Sequence, residues 1–301
     1  MFKYSLLISL LFIACNAGIQ KASTHMPVQS FDQQGHRGSR GLMPENTIPA
    51  MLKAIDLGVT TLETDAVITK DHQVVLSHEP FFNHEISTRP DGSKVTAAEE
   101  KSLNIYQMDY AEVKRYDVGM QPHPRFPHQQ RMAVAKPLLA DMIDAAEAYC
   151  TAQKKPAIHY NIETKSAAQT DGIFHPAPAS FVELLVGVIR SKKVEDRVTI
   201  QSFDIRTLQY LHQQYPAIHT ALLIEDYDTR PLPDQLKELG FVPTIYSPHY
   251  SLVTPALVKA CKDNGMKLVP WTVNDEPTIR KLKQMGVDGI ISDYPNLFAG
   301  L

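Results

Sequence analysis

Short β-like apolar runs alternate along most of this chain with stretches whose apolar positions recur at helical spacing. The runs that read as strands are Gln33–His36, Thr60–Val67, Ala157–Glu163, Val198–Gln201, Thr220–Ile224, Val242–Ser247, Lys267–Thr272 and Gly289–Ser292. Helical periodicity falls between most of them, over Thr47–Leu57, Leu139–Cys150, Ala179–Ser191, Ile205–Gln214, Pro255–Asn264 and Pro277–Met285. Gly58, Gly240, Gly265 and Gly286 stand where helices are expected to end before the next strand. Eight strands alternating with helices, at this length, predict an α/β fold of the TIM (β/α)8 barrel type, with an open doubly wound sheet as the alternative.

Two segments depart from that rhythm. From His78 to Lys136 the sequence is polar and aromatic with no clear barrel strand, carrying Phe81, Phe82, His84, Tyr106, Tyr116, His123 and Phe126. A loop so long is either a functional lid or small insertion, or a plain surface excursion. At the N-terminus, Lys3 precedes the apolar run Tyr4–Ala14, which is too short to span a bilayer (about 20 residues) and suits the core of an export signal. Leu11–Cys15 resembles a lipobox, so residues 1–15 read as a signal peptide whose Cys15 becomes lipidated, and 16–30 as a polar tether before a domain at 31–301. Plain cleavage after Ala17 is the competing reading. The expected location is the periplasm or cell envelope, with membrane contact only through that lipid anchor.

Composition narrows the class. Of 301 residues, 44% are hydrophobic and 21% charged, as in ordinary globular proteins, and a net charge of −3 supplies no basic excess for nucleic acid. With Cys15 lipidated, Cys150 and Cys261 remain, read as buried small apolar residues in separate helices rather than as a disulfide.

Chemistry gathers at the ends of the predicted strands. His36 and Arg37, between Gly35 and Gly38, close the first strand, ahead of Pro44-Glu45-Asn46-Thr47 at the opening of the first helix. Glu63 and Asp65 lie two apart in the second strand and therefore on one face. If that face is the barrel interior, two unpaired carboxylates are unfavourable there, and a cation removes the conflict. Glu163 is a candidate third carboxylate, and an all-oxygen set suits Mg2+ or Ca2+ rather than zinc. Thr69–His78 reads as a turn and short strand delivering His78; Lys165 shares a face with Glu163 and offers charge to a phosphate. Gln201-Ser202-Phe203-Asp204 and Trp271-Thr272-Val273-Asn274 end two more strands. Trp271, the only tryptophan, is a candidate substrate contact, with core packing as the alternative.

In this order, HRG at 36–38, PENT at 44–47, E-x-D at 63–65, the T-K-D run ending in His78, I-E-x-K at 162–165, QSFD at 201–204, W-T-V-N at 271–274 and the closing Asp288–Pro295 segment resemble the glycerophosphodiester phosphodiesterase family. The resemblance runs from about Phe31 to the C-terminus. It implies a TIM barrel with a small insertion after the second strand, about 79–135, and hydrolysis of small glycerophosphodiesters to glycerol 3-phosphate and an alcohol. It further implies one divalent cation on Glu63, Asp65 and Glu163, His36 and His78 as acid and base, and Arg37 and Lys165 on the phosphate. Glu79 after His78, where the family usually has Asp, and His72, where it commonly has Gly, depart from the pattern; Pro137–Asp141 matches it only loosely. Rival readings are a phospholipase D-like enzyme acting on lysophospholipids or sphingolipids, for which Phe81, Phe82 and Phe126 offer an apolar approach, and a non-catalytic phosphate-ligand binding protein.

Overall fold

The computed structural model describes residues 31–301 of the chain, apart from Met1. The export signal, Cys15 and the tether at 16–30 lie outside these described residues.

The elements in chain order are β1 (Asp32–Gly35), α1 (Ile48–Asp56), β2 (Thr61–Ile68), β3 (Val74–Leu76), α2 (Tyr110–Val113), α3 (Leu139–Ala152), β4 (His159–Thr164), α4 (Pro178–Lys192), β5 (Val198–Ser202), α5 (Ile205–Gln214), β6 (His219–Ile224), α6 (Leu232–Leu239), β7 (Ile245–Pro248), α7 (Pro255–Asp263), β8 (Lys267–Leu268), α8 (Glu276–Met285) and β9 (Gly289–Ser292). Eight of the strands run parallel in the order β8-β7-β6-β5-β4-β2-β1-β9, while β3 folds back antiparallel on β2. Between β8 and β9 the ring is completed by individual main-chain bonds, Asp288 N to Leu268 O (2.9 Å) and Ile291 N to Pro270 O (3.0 Å). The fold is a TIM barrel in which a 3-10 turn, Pro295–Phe298, follows the last strand where an eighth helix would stand.

All eight expected strands are present, and the two largest differences in their bounds, at β7 and β8, trace to proline. Pro243 has no N–H to donate, and β7 starts only at Ile245. Pro270 likewise ends β8 as a regular strand after Leu268, although Val269 N still bonds Tyr246 O at 3.1 Å. Helix α6 went unread because Pro231 and Pro233 look like breakers. Both sit at its start, where a missing N–H removes no helical bond, and Gly240 closes it at φ 84°. Thr47, Asp204, Thr254 and Asp275 cap α1, α5, α7 and α8 with their side chains.

The main core lies between strands and helices; Leu62, Ile162, Ile200, Phe181 and Ile143 are fully buried there. Cys150 and Cys261 are buried, free thiols. Inside the barrel the lower layer is apolar on one side, with Ala221, Ile245, Val269 and Ile291. On the other side it is polar: Asn161 Nδ2 donates to Gln34 Oε1 (2.8 Å) and Gln201 Oε1 (2.9 Å). That polar column ends beneath Glu63 and supports it.

The segment after β3 builds a small core of its own, with Phe82, Ile86, Ile105, Val113 and Tyr116 packed on Val67 and Val75 of the β2–β3 hairpin. Phe82 and Tyr116 stack with ring centroids 3.9 Å apart. Phe82 is fully buried and Phe126 nearly so, leaving neither as an apolar approach for a lipid. Because Phe82 anchors this layer, Phe82→Ala is expected to lower stability by about 3–5 kcal/mol, read as a shift in the chemical denaturation midpoint.

Candidate active site

The carboxyl end of the barrel opens into a cavity of about 460 Å³ whose walls include His36, Arg37, Glu63, His78, Glu163, Lys165 and Trp271. Every predicted site residue within the described region is therefore at this mouth, with Asp65 directly behind the wall.

The strand register explains the carboxylate cluster. In the β2–β4 pair Glu63 stands opposite Asn161 and Asp65 opposite Glu163, and the two-residue period turns all four inward. Glu63, Asp65 and Glu163 each offer an oxygen within 4.8 Å of the others, and all three are buried. Like charges facing across a ladder destabilise it, and burial adds to the conflict. Burial and the neighbouring Asp65 push Glu63 well above the usual carboxylate range. Burial also raises Glu163 to about 7, against the pull of Lys165. Asp65 goes the other way, because Arg37, His78 and Lys165 outweigh its burial.

Cations cover the cluster unevenly. Lys165 Nζ donates to Glu163 Oε1 at 2.8 Å and lies 3.9 Å from Asp65, and Arg37 Nε is 3.3 Å from Asp65. Among the described residues, Glu63 accepts only from neutral donors, the Arg37 main-chain N–H and Gln201 Nε2, each at 2.7 Å. Three converging oxygens with excess negative charge fit a hard divalent cation.

The loop after β1 is shaped to hold Arg37. Its φ is +48°, unfavourable for a side-chain-bearing residue, and Gly38 follows at φ +84°, where a Cβ would lie 2.7 Å from the Ala50 main chain. The PENT segment supports this turn from below. Glu45 accepts from Arg37 Nη1 (2.8 Å) and pairs with Arg40 Nε (2.6 Å), while Asn46 Nδ2 donates to Asp65 Oδ2 (2.8 Å). Asn46 Oδ1 accepts from Thr64 Oγ1 and the Asp65 N–H, which fixes the amide's orientation.

Each histidine has a carboxylate on Nδ1. His36 pairs with Asp293 Oδ1 at 2.6 Å and points Nε2 toward Glu63 Oε2, 4.0 Å away. Asn274 Nδ2 in turn donates to Asp293 Oδ2 at 2.7 Å. Burial lowers the His36 pKa although Asp293 resists, and the His78 pKa is lowered by burial, Arg37 and Lys165. Glu79 Oε1 holds His78 Nδ1 at 2.8 Å, and His72 takes φ +61° in the preceding turn. The longer Glu79 side chain thus still reaches the ring it follows. Trp271 is half-buried in the cavity wall, its indole N–H donating to Ser247 O at 2.9 Å.

Asp293, Glu45, Asn46 and Gln201 had no role in the sequence reading. Asp293 directly follows the last strand, so the strand-end criterion that singled out His36 and Lys165 would have found it. Glu45, Asn46 and Gln201 act through other residues, and their pairings emerge only from the register.

The residues 36–297 match the Glycerophosphoryl diester phosphodiesterase family, and the chain belongs to that family. A glycerophosphodiester phosphodiesterase of Caldanaerobacter subterraneus subsp. tengcongensis is 28% identical, over 88% of this chain and 95% of that one. A Silicibacter pomeroyi protein provisionally named a glycerophosphoryl diester phosphodiesterase has a crystal structure that superposes with a TM-score of 0.78. It is 32% identical, over 88% of this chain and 90% of its own. A lysophospholipase D of Mus musculus is more distant, at 24% identity over 86% of this chain and 82% of its own.

Asp293 holds His36 through Nδ1. Asp293→Asn, which keeps the shape but loses the charge and the tautomer preference, is expected to lower kcat about a hundredfold or more. Steady-state kinetics on a glycerophosphodiester, with circular dichroism to confirm folding, check this; unchanged kcat would remove Asp293 from the site.

Proposed function

We propose that this protein hydrolyses glycerophosphodiesters to glycerol 3-phosphate and an alcohol, using one divalent cation, Ca2+ or Mg2+, on Glu63, Asp65 and Glu163. Family membership supports the reaction class. The observation that carries the metal is the buried carboxylate triad, in which, among the described residues, Glu63 has no hydrogen bond from a lysine or arginine side chain.

Arg37 and Lys165 are placed to hold the non-bridging oxygens of the phosphate. Arg37 is buried and Lys165 half-buried at the cavity wall, where a lowered dielectric strengthens their attraction for an anion. When bound, the cation would act as a Lewis acid that stabilises the charge developing on those oxygens. Attack on phosphorus, by a neighbouring glycerol hydroxyl or by water, needs one proton removed and another delivered to the leaving alkoxide. His36 and His78 divide these tasks, their Nδ1 atoms held by Asp293 and Glu79 and their Nε2 atoms left for proton transfer.

We place the enzyme in the periplasm or cell envelope, tethered by lipid at Cys15; that reading rests on the N-terminal pattern alone. Chelation is expected to abolish glycerol 3-phosphate release, Ca2+ or Mg2+ to restore it, and His36→Ala to be folded and inactive. Full activity in chelator, or in the folded His36→Ala protein, would overturn the mechanism.

A further inference from the structure

One buried cation outside the cavity has no part in the chemistry above. Lys136 stands where the chain returns from the insertion, on a stretch fixed against the β2–β3 hairpin. Leu76 N donates to Pro137 O at 3.0 Å, and Tyr110 Oη donates to Lys136 O at 3.3 Å. The side chain is buried without lining the cavity, its Nζ lying over Phe82 at 5.7 Å from the ring centroid. Among the described residues the ammonium makes no ion pair and one hydrogen bond, to Ser77 Oγ at 2.8 Å. Burial lowers its pKa, against the pull of Glu79, Glu45 and Asp65.

Packing alone does not account for a lysine here. A methionine of similar reach would fill the space against Phe82 without burying a charge, and exchanging buried charge for apolar side chains is often neutral or stabilising. What a methionine lacks is protons. An ammonium can only donate, so Ser77 Oγ must accept from it, and the hydroxyl's single proton is left for another acceptor. That acceptor is Glu79 O. The chain Lys136 Nζ, Ser77 Oγ, Glu79 O thus spans the main chain on both sides of His78, while Ser77 N is tied to Asp65 O at 3.0 Å. The same turn carries the Glu79 carboxylate that holds His78 Nδ1 at 2.8 Å. With the turn and the ring's partner both fixed, the direction of Nε2 is fixed as well.

We propose that Lys136 is a positioning residue for His78, acting through Ser77 to fix the turn that aims the imidazole at the phosphate. The inference rests on the diesterase reading above, in which His78 transfers a proton.

The test measures kcat and KM for glycerophosphocholine, with Ca2+ present, in the full-length protein, Lys136→Met, Ser77→Ala and the double variant. Circular dichroism confirms folding. Each single variant should lower kcat about tenfold and leave KM within about twofold, because a misaimed imidazole slows the chemical step rather than binding. The double variant should be no slower than the slower single one, since both changes break the same chain. Unchanged kcat in either folded single variant overturns the proposal, and Ser77→Ala decides the matter should Lys136→Met fail to fold. Losses that multiply in the double variant also overturn it, because the two residues would then act independently. So does a raised KM at unchanged kcat, which would assign Lys136 to substrate binding. Release of no glycerol 3-phosphate by the unaltered protein refutes the diesterase reading itself, and this proposal with it.

Discussion

Three carboxylates forced together inside a barrel are the constraint around which this site is built. Asp65 faces Glu163 across β2 and β4 because the register puts them there, and Glu63 lies one inward position below. Without compensation, burial and mutual repulsion drive protons onto the cluster, as the raised pKa values of Glu63 and Glu163 indicate. The surroundings offset part of that charge. Arg37 is held in a strained left-handed turn so that its main-chain N–H meets Glu63 and its guanidinium meets Asp65. Glu45 and Asn46 then fix Arg37 and Asp65 from behind. The remaining excess charge is what a divalent cation would neutralise, so the same unfavourable cluster becomes a binding site.

The histidines belong to the same economy of buried charge. Both are placed where burial favours the neutral ring, and both have one nitrogen committed to a carboxylate, so one nitrogen of each is left for chemistry. The barrel contributes position rather than reactivity: His36, Lys165 and Asp293 sit just past the ends of separate strands, and the main-chain ladder fixes their spacing. Opposite them, the strands from β5 to β8 line the same mouth with Phe203, Leu223, Glu225 and Trp271.

Much of this was legible in the sequence because period-two alternation is a local property. Glu63 and Asp65 could be placed on one inward face from their spacing alone, and the clustering of polar residues at strand ends pointed to a barrel mouth. The residues that escaped notice depend on distant pairings. Asp293 meets His36 across 257 positions of sequence, and Gln201 meets Glu63 across 138. Helix α6 was hidden by prolines whose effect reverses with position, disruptive inside a helix and harmless in its first turn. The aromatic segment after His78 suggested a lipid approach, but Phe82 and Phe126 are consumed in packing, and Phe81 is half-buried against Phe174.

The central claim is that the carboxylate triad takes up one divalent cation and gives up protons in doing so. Isothermal titration of Ca2+ or Mg2+ into metal-stripped protein near pH 6, in buffers of different ionisation enthalpy, measures both. Glu163 has its folded pKa raised to about 7, so it is largely protonated at that pH and must lose its proton to bind metal. The account predicts one cation per chain, proton release that diminishes as the pH rises past 7, and loss of binding in Glu63→Gln. Absence of saturable binding in the unaltered protein, or binding undiminished by Glu63→Gln, would contradict it.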